Sequence, residues 1–533
     1  MPGLPLVSGF PMRNPLRADI ASTIGAAHRA FASGDVATTE RLCKTLVEAA
    51  PQDARAWALL AETALLRNRP DAAKVCADRA VALAPREPIA HIMQAKTLLH
   101  SGEIAAALNA AKAASPLLGA VPQAADALAA IFGLLGHHRR ALELSRRAVS
   151  QWPDNAQFLF NLAATERMLG MLDEAEAHCD EAIAHKPTYA LAHYIRSDLR
   201  IQSTDRNHIS EMESLVERRG LDWRSEVTLR YALGKECEDI QAHDRAFAHV
   251  AAGAQLWRRH ADYDVRTELA EIDRIIMSQN SVWLASIPPS RVLDAPVFVC
   301  GLPRTGTTLV ERIIASHSAV DSVGETGVFA IEAGRAQRAR HASDATDFNA
   351  IGEQYISTVR SVFGPRKSRF VDKTLHNYLY CGLIHAALPQ AKIILVERSP
   401  MDAAWALYKA HFQTGFLFSY DLAELADYYL AFHRIVEHWK KTLPSHAVLT
   451  VNYEDVVRSA PKQSTRMLEF LGLPWEESTL SFHESAMPSA TASAVQVRRP
   501  MYTTSIGKWR LHEEALAPFR NRLLKSLPNL ELS

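Results

Sequence analysis

The chain has 533 residues, too many for one hydrophobic core, and is expected to divide into about two to four domains. Its 59 Lys and Arg are balanced by 59 Asp and Glu, so no global field recruits nucleic acid or an acidic membrane. Any anionic ligand must be held by local side chains, and a hydrophobic content of 48% with 22% charged residues describes a soluble globular protein.

Residues 1–19 read as an N-terminal tail. Its prolines and glycines interrupt the apolar stretch that a signal peptide needs. No run of about 18 apolar residues occurs, so no membrane span is expected. The six cysteines (Cys43, Cys76, Cys179, Cys237, Cys300 and Cys381) are scattered without a C-x-x-C pair. That usage fits free buried thiols in a reducing compartment better than a disulfide frame or a zinc site, and implies a cytoplasmic location.

Residues 20–200 repeat. Pro51 and Pro85 stand 34 apart, as do Pro153 and Pro187, with Gly119 midway between the pairs. Gly34, Gly102, Gly136 and Gly170 fall on the same grid, and Asn68 fills the remaining slot. Five residues after each come Thr39, Ala73, Ala107, Ala141 and Ala175; seven further on come Leu46, Ala80, Ala114, Ala148 and Ala182. Small residues at fixed points let two helices pack closely, glycine ends the first helix, and proline marks entry to the next unit. The pattern resembles the tetratricopeptide repeat, which implies an all-α superhelix with a concave groove. Such a groove is either a spacer or dimerising scaffold, or the seat of a peptide or protein substrate. Both readings stay open, as does pairing into a homodimer.

Residues 201–290 read as a divergent helical repeat and a linker. Gln241 and Ala246 keep the five-residue offset, but 241 minus 170 is 71, three more than two periods, which a short insertion near 203–208 explains. The run I-P-P-S at 287–290 then breaks helix and leads into a second domain.

Residues 291–533 alternate apolar runs with helices. Strands are expected at 297–300, 370–371, 391–396 and 448–451, with helices opening at Thr307 and covering 381–388 and about 400–412. That alternation predicts a parallel sheet with helices on both faces and ligands at the carboxyl ends of the strands. The spacing Gly301-x-x-x-x-Gly306-Thr307-Thr308 nearly matches the phosphate loop G-x-x-x-x-G-K-[ST], with Thr307 in the lysine slot. Strand, glycine turn and helix N-terminus make an anion site, and Gly306 lets the backbone approach a phosphate closely. Without the lysine, a triphosphate with Mg²⁺ is a poorer fit, which disfavours an ATP-dependent kinase. Arg304 offers charge from within the loop. Lys373 and Arg398 each follow an apolar run, so all three are placed to converge on one crevice.

Five further stretches now accompany the loop in order: Asp372-Lys373, then 397–402, 452–455, 491–498 and 505–509 (E-R-S-P-M-D, N-Y-E-D, T-A-S-A-V-Q-V-R and S-I-G-K-W). Together they resemble a sulfotransferase that uses 3′-phosphoadenosine 5′-phosphosulfate, of the bacterial type that follows tetratricopeptide repeats. The enzymatic half is similar to tyrosylprotein sulfotransferases. The resemblance implies an α/β P-loop-like parallel-sheet domain and a nucleotide co-substrate, with no metal. It implies that Arg304, Thr305, Gly306, Thr307 and Thr308 hold the 5′-phosphosulfate and that Arg398 clamps the 3′-phosphate. Tyr453, Ser493, Gln496, Val497 and Lys508 would complete the nucleotide site. Glu325 matches the general base for an acceptor hydroxyl, and Lys373 the stabiliser of the leaving oxygen. The structural alternatives are a helix cap for Glu325, an ion pair with Asp372 for Lys373, and a surface position for Arg398.

Three positions depart from the pattern: Ala406 stands where a serine is usual, Ser399 where an aspartate is, and no proline follows Asp372-Lys373. These bear on donor affinity. The acceptor is a peptide, a protein (a tyrosine among the candidates), or a carbohydrate or small-molecule hydroxyl. The alternative from another class is a non-catalytic repeat scaffold with a decayed nucleotide site.

Overall fold

The computed structural model describes residues 15–218, 220–339, 346–485, 487–489, 491 and 494–528. The chain forms two compact units, Met1–Thr165 with Ser361–Phe363, and Glu166–Arg360 with Gly364–Ser533.

Ten helices come first in chain order: α1 Pro15–Ala32, α2 Val36–Ala49, α3 Ala54–Leu66, α4 Pro70–Leu83, α5 Pro88–His100, α6 Ile104–Ala114, α7 Pro122–Leu134, α8 His138–Gln151, α9 Ala156–Leu169 and α10 Leu172–His185. The 34-residue grid has a backbone cause. Gly34, Asn68, Gly102, Gly136 and Gly170 each sit between two helices of a pair at φ 53–85°, where glycine is favoured and asparagine tolerated. Five residues on, Thr39, Ala73, Ala107, Ala141 and Ala175 are buried, because the second helix of each pair crosses close there and leaves room only for a small side chain. In the first unit these pairs stack into continuous cores, such as the one joining Ala95, Ala107, Ala111, Ala125, Leu128 and Phe132.

Five helices and a short sixth follow: α11 Ala190–Asp198, α12 Ile209–Glu217, α13 Trp223–Asp239, α14 His243–His260, α15 Val265–Ser278 and α16 Ser281–Ser286. The connection after α11 is long and folds on itself through paired backbone bonds between Ser203 and Arg206 (3.1 and 3.2 Å), where the sequence places an insertion. Gln241, between α13 and α14, takes φ 62° and so occupies the grid's turn position despite being neither Gly nor Asn.

The sheet holds β1 Val297–Gly301, β2 Val320–Gly324, β3 Arg369–Asp372, β4 Lys392–Glu397 and β5 Val448–Asn452, all parallel, in spatial order β2-β3-β1-β4-β5. Its helices are α17 Thr307–Ala315, α18 Val328–Ala339, α19 Phe348–Phe363, α20 Cys381–Ala387, α21 Pro400–Tyr408, α22 Leu422–Thr442, α23 Tyr453–Arg458, α24 Ala460–Leu471 and α25 Ala517–Ser526. Val297, Val299, Ile394 and Val396 face α17 and α24 through Val310, Ile313, Ile314 and Met467. On the opposite face Phe298 meets Phe329 of α18 and Tyr355 of α19, with ring centroids 5.9 and 5.5 Å apart. Both faces are covered, so the strands read as apolar runs.

Two elements differ from the sequence expectation. β2 is a strand that periodicity does not announce: it is an edge strand paired only with β3, and its Asp321 and Ser322 are half-exposed. The helix expected over 400–412 ends at Tyr408, because the Lys409 and Ala410 amides turn back to the Trp405 and Leu407 carbonyls (both 3.1 Å). His411 leaves that helix to stack on Tyr231 of α13, 5.1 Å between centroids.

Candidate functional site

β1 is wholly buried and delivers the glycine loop to the carboxyl edge of the sheet. A Cβ on Gly301 would lie 2.4 Å from the Val396 carbonyl oxygen of the neighbouring strand, so only glycine lets the chain leave β1 here. Gly306, at φ 99°, lies under the Tyr453 ring, where a Cβ would meet Cδ2 at 2.5 Å. Between them Arg304 takes φ 65°, a conformation that L side chains rarely adopt and that persists only where surroundings enforce it. The enforcement is visible: Arg398 Nη1 donates to the Arg304 carbonyl at 3.0 Å, Arg304 Nη2 donates to Gln496 Oε1 at 2.8 Å, and the Thr305 hydroxyl donates back to Leu302 O at 2.6 Å. The first rung of α17 runs from Val310 N–H to Gly306 O at 3.1 Å, so the amides of Thr307 and Thr308 precede the helix ladder.

The other strands end alike. The residue after β2 is Glu325, after β3 Lys373, after β4 Arg398, and β5 is followed directly by Tyr453. Lys373 is buried and donates Nζ to Glu325 Oε1, whose side chain keeps 41% exposure. Asp372 is not its partner. That carboxylate is buried and accepts from Thr326 Oγ1 (2.7 Å), Tyr355 OH (3.0 Å), Thr374 N–H (3.0 Å) and Thr374 Oγ1 (2.6 Å). Burial pushes Asp372 up, and the bonds from Thr374, Thr326 and Tyr355 oppose it. Nor does Glu325 cap α18, since the Val328 amide donates to Thr326 Oγ1 at 3.2 Å.

Arg398 is no surface residue. Besides the Arg304 carbonyl, its Nη2 donates to Ser505 O at 2.9 Å, its guanidinium lies 4.8 Å from the Tyr453 ring centroid, and its Nε is buried without a partner among the described residues. Tyr453 and Ser505 share a hydroxyl bond of 2.6 Å. Asp402 accepts from the Gly507 amide at 2.6 Å, which holds the turn carrying Lys508 against α21.

These groups line a cavity of about 350 Å³. Arg304, Gly306, Thr307, Thr308, Glu325, Arg398, Tyr453, Gln496, Val497 and Lys508 all face it, and Ala406 contributes to its wall. Thr305 instead closes the loop, Lys373 lies behind Glu325, and Ser493 falls outside the described residues. Leu375, Phe412 and Phe416 give the lining an apolar part, whereas Tyr502 lies near Arg304 and Tyr453. A phosphorylated nucleotide fits this donor set on two observations: among the described residues the buried Nε of Arg398 has no partner, and the glycine loop borders the cavity at Gly306, Thr307 and Thr308.

Three charged residues escaped sequence reasoning: Arg499, which lines the cavity, and the pair Lys409 and Glu238. Lys409, where α21 ends, lines the cavity and donates to both carboxylate oxygens of Glu238 at 2.6 Å. Glu238 belongs to α13 and also accepts from Trp405 Nε1 at 3.1 Å. Burial pushes Glu238 up, but Lys409 and Lys508, with the bonds from Lys409 and Trp405, outweigh it and hold the carboxyl at about 2.

Residues 296–477 match the family model described as "Sulfotransferase family", and residues 30–97 and 134–190 match two models described as "Tetratricopeptide repeat". An uncharacterized protein of Aquifex aeolicus is 27% identical over 412 residues, covering 73% of this chain and 53% of that protein. "Protein-tyrosine sulfotransferase 1" of Danio rerio is 23% identical over 240 residues, covering 40% of this chain and 66% of that protein. A thermophilic tetratricopeptide protein of Thermus thermophilus aligns at TM-score 0.31 and 19% identity, over 34% of this chain and 98% of the other. The chain thus spans about half to two thirds of the length of these two sequence relatives. Repeat matches, family match and strand-end geometry agree: this chain joins tetratricopeptide repeats to a sulfotransferase-family domain.

Proposed function

We propose that this chain transfers a sulfuryl group from 3′-phosphoadenosine 5′-phosphosulfate to an acceptor hydroxyl. The observation that carries the reading is the convergence of residues from the ends of β1, β2, β4 and β5 at one cavity, which brings an anion loop and Arg398 together with a carboxylate, Glu325, itself held from behind by Lys373 at the end of β3. When bound, the donor supplies an electrophilic sulfur and a bisphosphate leaving group. The chain's own residues do the rest. The glycine-loop amides, the N-terminus of α17 and Arg304 hold the 5′ anion. Arg398 and Tyr453 secure the nucleotide's second phosphate and Lys508 adds charge; Gln496 steadies Arg304. Glu325 takes the proton from the acceptor hydroxyl as that oxygen attacks. Lys373, bonded to Glu325, fixes the carboxylate's orientation and supplies positive charge beside the leaving oxygen.

The acceptor in this reading is a protein tyrosine. Similarity to a protein-tyrosine sulfotransferase of Danio rerio and the neighbouring rings of Phe412 and Phe416 in the cavity lining, suited to an aromatic ring, support that choice. The repeats (20–200) would present the polypeptide, the segment 201–290 would link, and 291–533 would carry the chemistry. Six buried unpaired cysteines support a reducing, cytoplasmic setting.

The test is incubation of purified protein with donor labelled at sulfur and a panel of tyrosine peptides, saccharides and small phenols. Release of adenosine 3′,5′-bisphosphate matched by label on a tyrosine peptide is expected. Glu325→Ala should lower turnover by roughly 10²–10⁴-fold while leaving bisphosphate affinity intact. Full turnover in that variant removes Glu325 as the base, and transfer only to saccharides removes the tyrosine assignment.

A further inference from the structure

The cationic side of the cavity contains more charge than Arg304 and Arg398 supply, and part of it is anchored from outside the sheet domain's own elements. Lys409 sits one helical turn beyond Ala406 on the face of α21 that borders the cavity, and a quarter of its side chain remains exposed. Two of its three N–H donors are engaged by the oxygens of Glu238, both at 2.6 Å. The ammonium also lies 5.3 Å from the Trp405 ring centroid, so the stem is packed and the head has a fixed place. Glu238 faces Lys508 as well as Lys409, and the cavity lining itself carries five cations, Arg304, Arg398, Lys409, Arg499 and Lys508, against two carboxylates, Glu325 and Asp402. The excess is positive and borders the cavity, an arrangement that simple neutralisation of a buried carboxylate does not require.

A phosphate monoester carries about −1.5 to −2 charges on one group, whereas each group of a phosphosulfate carries a single charge. Amides and a helix end suit the second kind of anion, and clustered ammonium and guanidinium groups suit the first. We propose that Lys409, held in place by Glu238 of α13, is a direct ligand of the donor's 3′-phosphate, sharing it with Arg398. The assignment rests on the nucleotide reading above. It gives α13 a part in donor binding: Glu238 positions Lys409 without touching the nucleotide, and Lys409 brings charge to the wall where Ala406 offers no hydroxyl.

Titration calorimetry on the full chain with adenosine 3′,5′-bisphosphate, adenosine 3′-phosphate and adenosine 5′-phosphate tests it. Lys409→Met is expected to weaken the two 3′-phosphorylated ligands by roughly ten- to a hundredfold, the range for one lost charge-assisted hydrogen bond, and to leave the 5′-phosphate unaffected. Because that variant strands the Glu238 carboxylate, the double variant Glu238→Gln with Lys409→Met is measured beside it. The double variant should bind the bisphosphate as weakly as the single one. Recovery of affinity in the double variant overturns the proposal, since Lys409 would then serve only to neutralise Glu238. Unchanged bisphosphate binding by Lys409→Met, or an equal loss for the 5′-phosphate, overturns it as well. Those outcomes leave the donor reading standing, whereas a wild-type chain that binds none of the three ligands overturns both.

Discussion

The two compact units are built on opposite packing principles. The helical unit buries alanine: Ala73, Ala77, Ala80, Ala107, Ala111 and Ala114 are all fully enclosed, and its helices pack mainly on those one or two places along the chain, joined by Val362 from much later. The sheet unit buries branched and aromatic side chains, Val297, Phe298, Ile394, Tyr355 and Trp439 among them, and its central strand joins partners far apart in the chain. Many equivalent close approaches make the first unit tolerant and graded. The second concentrates unique residues at five strand ends, where no neighbour duplicates them.

That contrast can be broken or sharpened by substitution. The largest effect is expected from Gly301→Ala, whose new Cβ would press on the Val396 carbonyl between the central strands. About 3 kcal/mol of sheet stability should be lost, read by hydrogen exchange as lost protection in β1 and β4 with α3 to α8 still protected. Equal loss in both units would show that they do not differ as described. Arg398→Met should weaken adenosine 3′,5′-bisphosphate roughly a hundredfold by calorimetry, because it removes a guanidinium that also holds the Arg304 carbonyl. Ala111→Leu overfills a helix crossing and should cost about 1–3 kcal/mol in thermal unfolding without moving nucleotide affinity.

The smallest effect has the opposite sign. Asp126 of α7 is buried, which pushes its carboxyl up to about 6 even though Asn161 donates to both oxygens at 2.9 and 3.0 Å. A folded-state value above the unfolded one means that the folded chain holds the proton more tightly. Stability from this site is present below about pH 4 and is lost as pH rises through about 6. Asp126→Asn should therefore stabilise the helical unit at pH 7 by roughly 1–2 kcal/mol and flatten that part of its pH profile. A chemical denaturation series from pH 4 to 8 checks the sign.

Much of the architecture could be read from the residues because it rests on local physics. The 34-residue grid marks turns that need positive φ, and even Gln241 falls where the offset puts it. Apolar runs that stop at Lys373 and Arg398 mark strand ends, since a strand leaving a parallel sheet meets the ligand edge there. What stayed hidden depends on distant partners. β2 carries Asp321 and Ser322 and becomes a strand by pairing with β3. The helix after Pro400 stops early while His411 stacks on a ring in α13. Glu238 is one acidic residue on an ordinary helix until Lys409, 171 positions later, is folded against it.

The strand order has a consequence for synthesis. β1 is the first strand of the sheet to leave the ribosome, yet it occupies the middle, and neither β3 nor β4 exists until Arg369 and Lys392 have been translated. Until then an apolar run, Val-Phe-Val-Cys, has both hydrogen-bonding edges open, the condition under which nascent chains associate wrongly. The sheet cannot grow outward from one side as a hairpin does. Its most adhesive strand must wait, shielded by the ribosome, a chaperone or a provisional contact with α17, before it becomes the least accessible one.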